Sequence, residues 1–246
     1  MNAEEYANLE RVEREHWYYA GKRELVRGWL ESLGALRPET RLLDAGAGTG
    51  FFARELRGRC RVQVLDDHPE SLEILRRHFA PAEIVEGTIH TERLAPGSYD
   101  AITAMDVIEH VEDDAAMVGA FHRLLRPGGV AVVTAPAGMA LWSDWDEVLH
   151  HYRRYSLGEL RGLFADGAWE VVDARYTNVL VYPAVWLVRK WRSVSRDLGA
   201  RGDSRAEDKL PSPWLNRVMK AIFVGMGRSG LRWPLGVSVL VVARRR

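Results

Sequence analysis

The chain of 246 residues has a single cysteine, Cys60. No intramolecular disulfide can form, and no Cys/His cluster has the spacing of a structural zinc site. The chain also lacks any apolar run of about 18 residues, the length needed to span a bilayer. The longest candidates, such as Leu180 to Val188, fall short. Excess charge is missing too: 34 Lys and Arg balance 34 Asp and Glu. Nothing in that balance suggests a protein that coats nucleic acid. The first residues, Met1 to Glu15, are acidic and polar, unlike a secretory signal. There is no internal repeat and no low-complexity tract. These absences lead to the expectation of a soluble, cytoplasmic protein. The basic end Ala243-Arg244-Arg245-Arg246 reads as a soluble terminus, with anion or membrane contact as the minority reading.

What is present is a 47% hydrophobic content, enough for one α/β domain with a sizeable core, or that plus a small subdomain. Glu4 to Leu33 reads as helical, with Leu25, Trp29 and Leu33 at four-residue spacing and Gly34 as a stop. Gly21 weakens the pattern enough to allow two helices there. Apolar strands are expected at Arg41–Asp44, Arg61–Leu65, Glu83–Val85, Tyr99–Met105 and Val130–Thr134. Helices at Ser71–His78 and about Asp113–Leu125 alternate with them, and Arg126-Pro127-Gly128-Gly129 reads as a turn. This alternation makes βαβ units and a mostly parallel sheet. Ala137 to Tyr155 reads as a polar, aromatic loop with a short helix. Ser156 with Glu159 forms a capping box for a helix to Phe164. Sixth and seventh strands follow at Trp169–Tyr176 and Val237–Val242. The roughly 60 residues between those two strands are too many for a hairpin. They hold two amphipathic stretches, Tyr182–Trp191 and Trp214–Met226, around a polar linker from Ser195 to Ser212, and read as a helical insert or lid.

The chemistry concentrates in Leu43-Asp44-Ala45-Gly46-Ala47-Gly48-Thr49-Gly50, a strand running into an acid and a glycine turn. Glycine permits left-handed dihedrals and leaves room where a ligand presses on backbone. A dinucleotide-binding fold competes on the glycines alone. Its fingerprint places a pyrophosphate on the helix terminus, where Asp44 would sit badly. An acid at this point suits a cationic cofactor.

Further pieces follow in order: Val64-Leu65-Asp66, Ser98-Tyr99-Asp100-Ala101-Ile102, Met105-Asp106-Val107-Ile108-Glu109-His110-Val111 and Leu124-Leu125-Arg126-Pro127-Gly128-Gly129. Over residues 40 to 135 this ordered set resembles the class I S-adenosylmethionine-dependent methyltransferases, of the broad kind that includes ubiquinone-type O-methyltransferases. Glu15-His16-Trp17-Tyr18, Pro136-Ala137, Leu141-Trp142-Ser143, His151 to Tyr155 and Leu235 to Ser238 resemble a narrower subgroup whose acceptor the resemblance does not specify. The resemblance implies a seven-stranded Rossmann-like α/β sheet with the seventh strand antiparallel between the fifth and sixth. Residues 1–36 would form an N-terminal helical cap and 37–180 the cofactor-binding core. Residues 181–232 would form the insert or lid, and 233–246 a final strand with the basic tail.

The same resemblance implies S-adenosylmethionine as cofactor, with S-adenosylhomocysteine as product. Gly46, Ala47, Gly48 and Gly50 would run beside its methionine and ribose. Asp44 would help place the ammonium, and Asp66 would accept from the ribose hydroxyls. Asp67 would border the adenine edge, where many relatives are apolar. Thr88 and Ile89 would contact the adenine, with Thr88 standing where relatives often have an aspartate. Met105 and Asp106 would face the methyl-transfer cleft.

For the chemistry, His151 is the first candidate base and Asp146 its orienting group. His110, grouped with Glu109 and Asp106, is a second candidate base; the same group is a conceivable divalent-ion site, but no metal is assigned. Arg153 and Arg154 offer bidentate forks, and Tyr152 and Tyr155 rings, for an anionic or aromatic acceptor; the alternative is that they pair and pack locally. His16, Trp17, Tyr18 and Trp142 are candidate acceptor contacts or plain packing residues. No Asn/Asp-Pro-Pro-Tyr motif follows the fourth strand, so adenine-N6 and glutamine acceptors are disfavoured. The expected partner is a small molecule methylated on oxygen, then nitrogen, then carbon, and not nucleic acid. Two alternatives stay open: a lipid or isoprenoid-tailed acceptor at a membrane surface, and a non-catalytic methyltransferase-like binding protein. The sequence does not fix the oligomeric state.

Overall fold

The computed structural model describes residues 3–197 and 210–246. The middle of the expected Ser195–Ser212 linker therefore lies outside the described residues. Seven strands form one sheet: β1 Arg41–Ala45, β2 Arg61–Asp66, β3 Ile84–Glu86, β4 Tyr99–Met105, β5 Leu125–Pro136, β6 Trp169–Thr177 and β7 Ser238–Arg245. Their order is β3-β2-β1-β4-β5-β7-β6. β1 to β5 pair in parallel, and β7 inserts antiparallel between β5 and β6. The order reverses at β1–β4, the topological switch point where open α/β sheets bind ligands beyond the strand carboxyl ends.

The helices are α1 Ala3–Val12, α2 Trp17–Ser32, α3 Phe51–Glu55, α4 Pro69–His78, α5 Asp114–Leu124, α6 Asp144–Val148, α7 Leu157–Gly162, α8 Tyr182–Asp197 and α9 Pro213–Arg228. Successive strand residues feed opposite faces, as the pleat requires. Leu43, Ile102 and Val133 join one apolar cluster with Phe121 of α5 and Leu160 of α7. Leu42, Ala101 and Val132 join the other with Leu30 of α2, Phe52 of α3 and Leu75 of α4.

Three expectations are corrected. The first helical stretch does break, but at Glu13–His16 and not at Gly21. His16 takes an extended backbone and its Nδ1 accepts from the Tyr18 amide at 3.3 Å, starting α2 afresh. Gly21 serves packing: a Cβ there would stand 2.2 Å from the Phe223 ring of α9. Arg126–Gly129 lies within β5 as an outward bulge, because the pairing jumps from Tyr99↔Leu125 to Ala101↔Val130. The basic end is sheet rather than tail: β7 runs to Arg245, and Arg244 lies 3.4 Å from Glu170 of β6. The Ser156–Glu159 capping box is present at α7, with amide contacts of 3.2 and 2.7 Å.

Candidate functional site

The loop after β1 turns on three left-handed glycines, Gly46, Gly48 and Gly50, with φ of 68°, 57° and 69°. Two are also close-packing positions. A Cβ on Gly46 would meet Val107 at 2.5 Å, and one on Gly50 would meet Leu75 at 2.6 Å. Gly48 differs: nothing stands within 4 Å of its Cβ position, so the loop opens there. Asp66 borders this opening. It accepts from the Gly48 amide at 2.9 Å and the His68 amide at 3.0 Å. Burial pushes its carboxyl upward against those hydrogen bonds. Asp44 lies fully inside, accepting from the Thr103 hydroxyl at 2.7 Å, and burial pushes it up to about 7. Met105 is half-buried against the core. Asp67 and Thr88 are exposed, and Ile89 is buried in the core beyond β3.

The N-terminal helices lie over this loop. The Tyr6 ring of α1 packs 5.0 Å from the His68 ring. Glu13 accepts from Thr49 Oγ1, and the Arg23 guanidinium donates to the Glu13 carbonyl at 2.6 Å. Burial pushes Glu13 up to about 7.

Asp106 follows β4 directly, with a φ of 56°, unusual for a residue with a side chain. Thr134 of β5 holds it twice: the Thr134 carbonyl accepts the Asp106 amide, and the hydroxyl donates to Oδ1, both at 3.0 Å. Its Oδ2 is paired with Lys22 Nζ of α2. Lys22 also donates to the Tyr18 hydroxyl at 2.8 Å, which lies 3.0 Å from Ser238 Oγ. Burial pushes Lys22 down to about 7.

The second polar centre joins the loop after β5 to the 3₁₀ turn Ile108–His110 after β4. His151 Nδ1 and Asp146 Oδ1 are 2.9 Å apart, both nearly buried. Asp146 Oδ2 accepts from the Ser143 amide at 2.9 Å, with Arg154 and Arg189 each at 3.5 Å. Burial alone would raise Asp146; the His151 hydrogen bond and the two arginines outweigh it and hold the carboxyl below its ordinary value. The His110 ring meets the His151 ring edge-on at 4.7 Å. Burial, then His151, pushes His110 down to about 4. Glu109 is fully buried, and neither carboxyl oxygen has a hydrogen-bond partner among the described residues. Burial pushes it up to about 8.

Glu109, His110 and His151 bring ligand atoms within 4.8 Å of one another, so these three could hold a metal ion. Asp106, grouped with Glu109 and His110 by sequence, is turned instead to Lys22 and Thr134. Arg153 is tied to Asp114 at 2.9 Å and to the Glu112 carbonyl at 2.6 Å, and Tyr155 donates to Asp114 at 2.8 Å. Both pin the loop to the start of α5. Tyr152 is exposed, with its amide on the Glu109 carbonyl at 2.8 Å. Arg154 is the arginine of the pair that stands at the dyad. His16 caps α2, Trp17 packs on Phe223 and Leu25, and Trp142 is half-buried after its own 3₁₀ turn. Of the N-terminal candidates, Tyr18 reaches the polar cluster.

Sequence reasoning missed Lys22, Glu13, Tyr6 and Arg189. Lys22 follows Tyr18 by four residues, which places both on one helix face, and that spacing was a readable signal.

A family model described as a methyltransferase domain matches residues 43–133. The ubiquinone biosynthesis O-methyltransferase of Xanthomonas campestris is 32% identical over 136 residues, covering 48% of this chain and 57% of that protein. The malonyl-[acyl-carrier protein] O-methyltransferase of Serratia marcescens is 31% identical over 163 residues, covering 63% of each. This chain thus spans little more than half the length of such curated relatives. The phosphoethanolamine N-methyltransferase 2 of Haemonchus contortus, solved with S-adenosyl-L-methionine, superposes with a TM-score of 0.59. It is 18% identical over 89% of this chain and 52% of that one, a likeness of fold. Residues 43–133 thus match a methyltransferase domain, and the seven-stranded order, the glycine loop and the acids Asp44 in β1 and Asp66 at the end of β2 are those of the class I S-adenosylmethionine-dependent methyltransferase fold.

Proposed function

We propose that the chain moves a methyl group from S-adenosylmethionine to an oxygen of a small-molecule acceptor, with His151 taking the acceptor's proton. The cofactor supplies an electrophilic methyl on a sulfonium. The residues after β1 and β2 fit such a group. The opening at Gly48 leaves room beside backbone. Asp66 already holds two amides, and each of its oxygens keeps a second lone pair for a ribose hydroxyl. Asp44, buried and held near 7, becomes a full anion when a cation arrives within reach.

The observation that carries the acid–base part is the 2.9 Å contact between His151 and Asp146. An ionised carboxylate only accepts, so Nδ1 of His151 bears the proton and Nε2 keeps a lone pair. Asp146 then orients the ring and stabilises the imidazolium formed when Nε2 takes a hydroxyl proton. Arg154 and Arg189 keep Asp146 ionised throughout. His110, held neutral, packs against the ring without competing for its charge. The test is a mass-spectrometric acceptor screen with wild type and His151→Ala. Methylation of hydroxyl acceptors that the variant loses supports the assignment. Turnover unchanged in His151→Ala overturns it, and cofactor binding without transfer to any acceptor leaves a binding protein.

A second reading places the acceptor at a membrane surface as a lipid or isoprenoid-tailed molecule. Its support is α8, which carries exposed Trp186, Leu187 and Trp191 while its Arg189 reaches Asp146. Transfer to tailed but not to truncated soluble acceptors is the discriminating result.

A further inference from the structure

We propose that the outward faces of α8 and α9 form a docking surface for an anionic lipid bilayer, beside the acceptor site. A surface helix normally turns apolar residues inward and polar ones outward. These two helices are apolar on the side that faces out. On α8, Ala184, Leu187, Val188 and Trp191 are exposed at i, i+3, i+4 and i+7, one continuous stripe. Leu187 is 63% exposed and Trp191 69%. On α9, Trp214, Val218 and Ile222 are exposed at four-residue steps, Trp214 at 66%.

Their inward faces are already occupied. Phe223 of α9 packs with Trp17 and Leu25 of α2, and Val181, at the entry to α8, and Met219 join that cluster. Arg189 of α8 donates to the Leu141 carbonyl beside Asp146. The outward stripes are therefore surplus to folding and rooted on the flank of the acceptor site.

Charge selects the partner. α9 contains no acid, and the sole acid of α8 is its last residue, Asp197. Lys220 and Arg228 are engaged by Glu24 at 2.8 and 3.7 Å. Lys190 and Arg217 stand exposed next to the apolar stripes. A twofold contact with a second copy would set basic helices against basic helices, which like-charge repulsion opposes. Anionic headgroups supply the counter-charge, and the acyl boundary takes the Trp and Leu side chains. No helix among the described residues is long and apolar enough to cross a membrane. Helices of this kind lie in the interface plane instead. That the docked surface delivers a tailed acceptor rests on the second functional reading; the docking itself does not.

The test is co-sedimentation of the full chain, without cofactor, with vesicles of phosphatidylglycerol and phosphatidylethanolamine or of phosphatidylcholine alone. The expected result is partitioning onto the anionic vesicles about tenfold stronger than onto phosphatidylcholine, and weakened by salt. Trp191→Glu with Trp214→Glu, and separately Lys190→Glu with Arg217→Glu, should each lower partitioning about tenfold or more. S-adenosylmethionine titrations of the same variants show that they are folded and keep a failure of docking distinct from a failure of the methyltransferase reading. Three results overturn the proposal. One is no partitioning onto anionic vesicles. Another is partitioning onto both vesicle types that neither variant pair reduces. The third is a wild-type dimer in sedimentation that the tryptophan variants dissociate, which assigns the face to a second copy.

Discussion

His151 and Asp146 meet at 2.9 Å across only five residues, and Arg154 and Arg189 each stand 3.5 Å from the other oxygen of the Asp146 carboxylate. In the proposed reaction this pairing directs the imidazole as the base. Replacing His151 by Ala should lower kcat about 10²- to 10⁴-fold on a hydroxyl acceptor while leaving cofactor affinity unchanged. Asp146→Asn should cost a comparable factor, because an amide no longer stabilises the imidazolium. Rates of either variant that rise with pH to the wild-type value would assign the proton to solvent instead.

Glu109 should write its burial into the pH dependence of stability. Its carboxyl titrates at about 8 in the folded chain against about 4.3 unfolded. The native state then holds a proton that the unfolded state has released. That contribution is complete below about 4.3 and is lost as pH rises through 8. Glu13 and Asp44, each near 7, act in the same direction. Lys22, pushed down to about 7, acts oppositely from there upward. His110, pushed down to about 4, and His16 and His78, also lowered by burial, oppose that loss up to about pH 6.5, so the melting temperature should fall relative to that of Glu109→Gln between about pH 5 and about pH 8. Parallel curves for the two proteins would refute a protonated Glu109.

Binding of a cationic cofactor should release protons near neutral pH. Asp44 at about 7 is partly protonated before binding and fully ionised beside an ammonium. Calorimetry in buffers of different ionisation enthalpy should show a fraction of a proton released per site. Affinity should weaken as pH falls below 7. Buffer-independent heats would place the ammonium elsewhere.

Gly21 should resist substitution although it sits in a helix. Alanine would gain about 1 kcal/mol in helix propensity. Its Cβ would stand 2.2 Å from the Phe223 ring, and overpacking of that sort costs about 1–3 kcal/mol. A net loss in chemical denaturation is expected for Gly21→Ala, and its rescue by Phe223→Leu would locate the clash.

The parts legible in the sequence were those fixed by local pattern. β1 with its acid and glycines, β4 at Tyr99–Met105 and the Ser156 cap stand where periodicity and capping chemistry put them. The place of β7 came from the family resemblance, since pairing order is not written in any one strand. His151 with Asp146 was readable because both lie in one short polar segment after β5. Lys22 on Asp106 was not, because 84 residues separate them and only the fold lays α2 across the end of β4. The same holds for Arg153 and Tyr155: their shared partner Asp114 lies about 40 residues back and turns them into loop anchors. Gly21 looked like a helix breaker because its partner, Phe223, lies on a helix at the other end of the chain.

The central claim is that the cleft after β1 and β2 holds S-adenosylmethionine, and calorimetric titration tests it most directly. Purified protein should bind both S-adenosylmethionine and S-adenosylhomocysteine saturably. Asp66→Ala should weaken both about tenfold or more, through lost charge-assisted hydrogen bonds. No heat of binding from well-folded wild-type protein, or equal affinity in Asp66→Ala, would contradict the account.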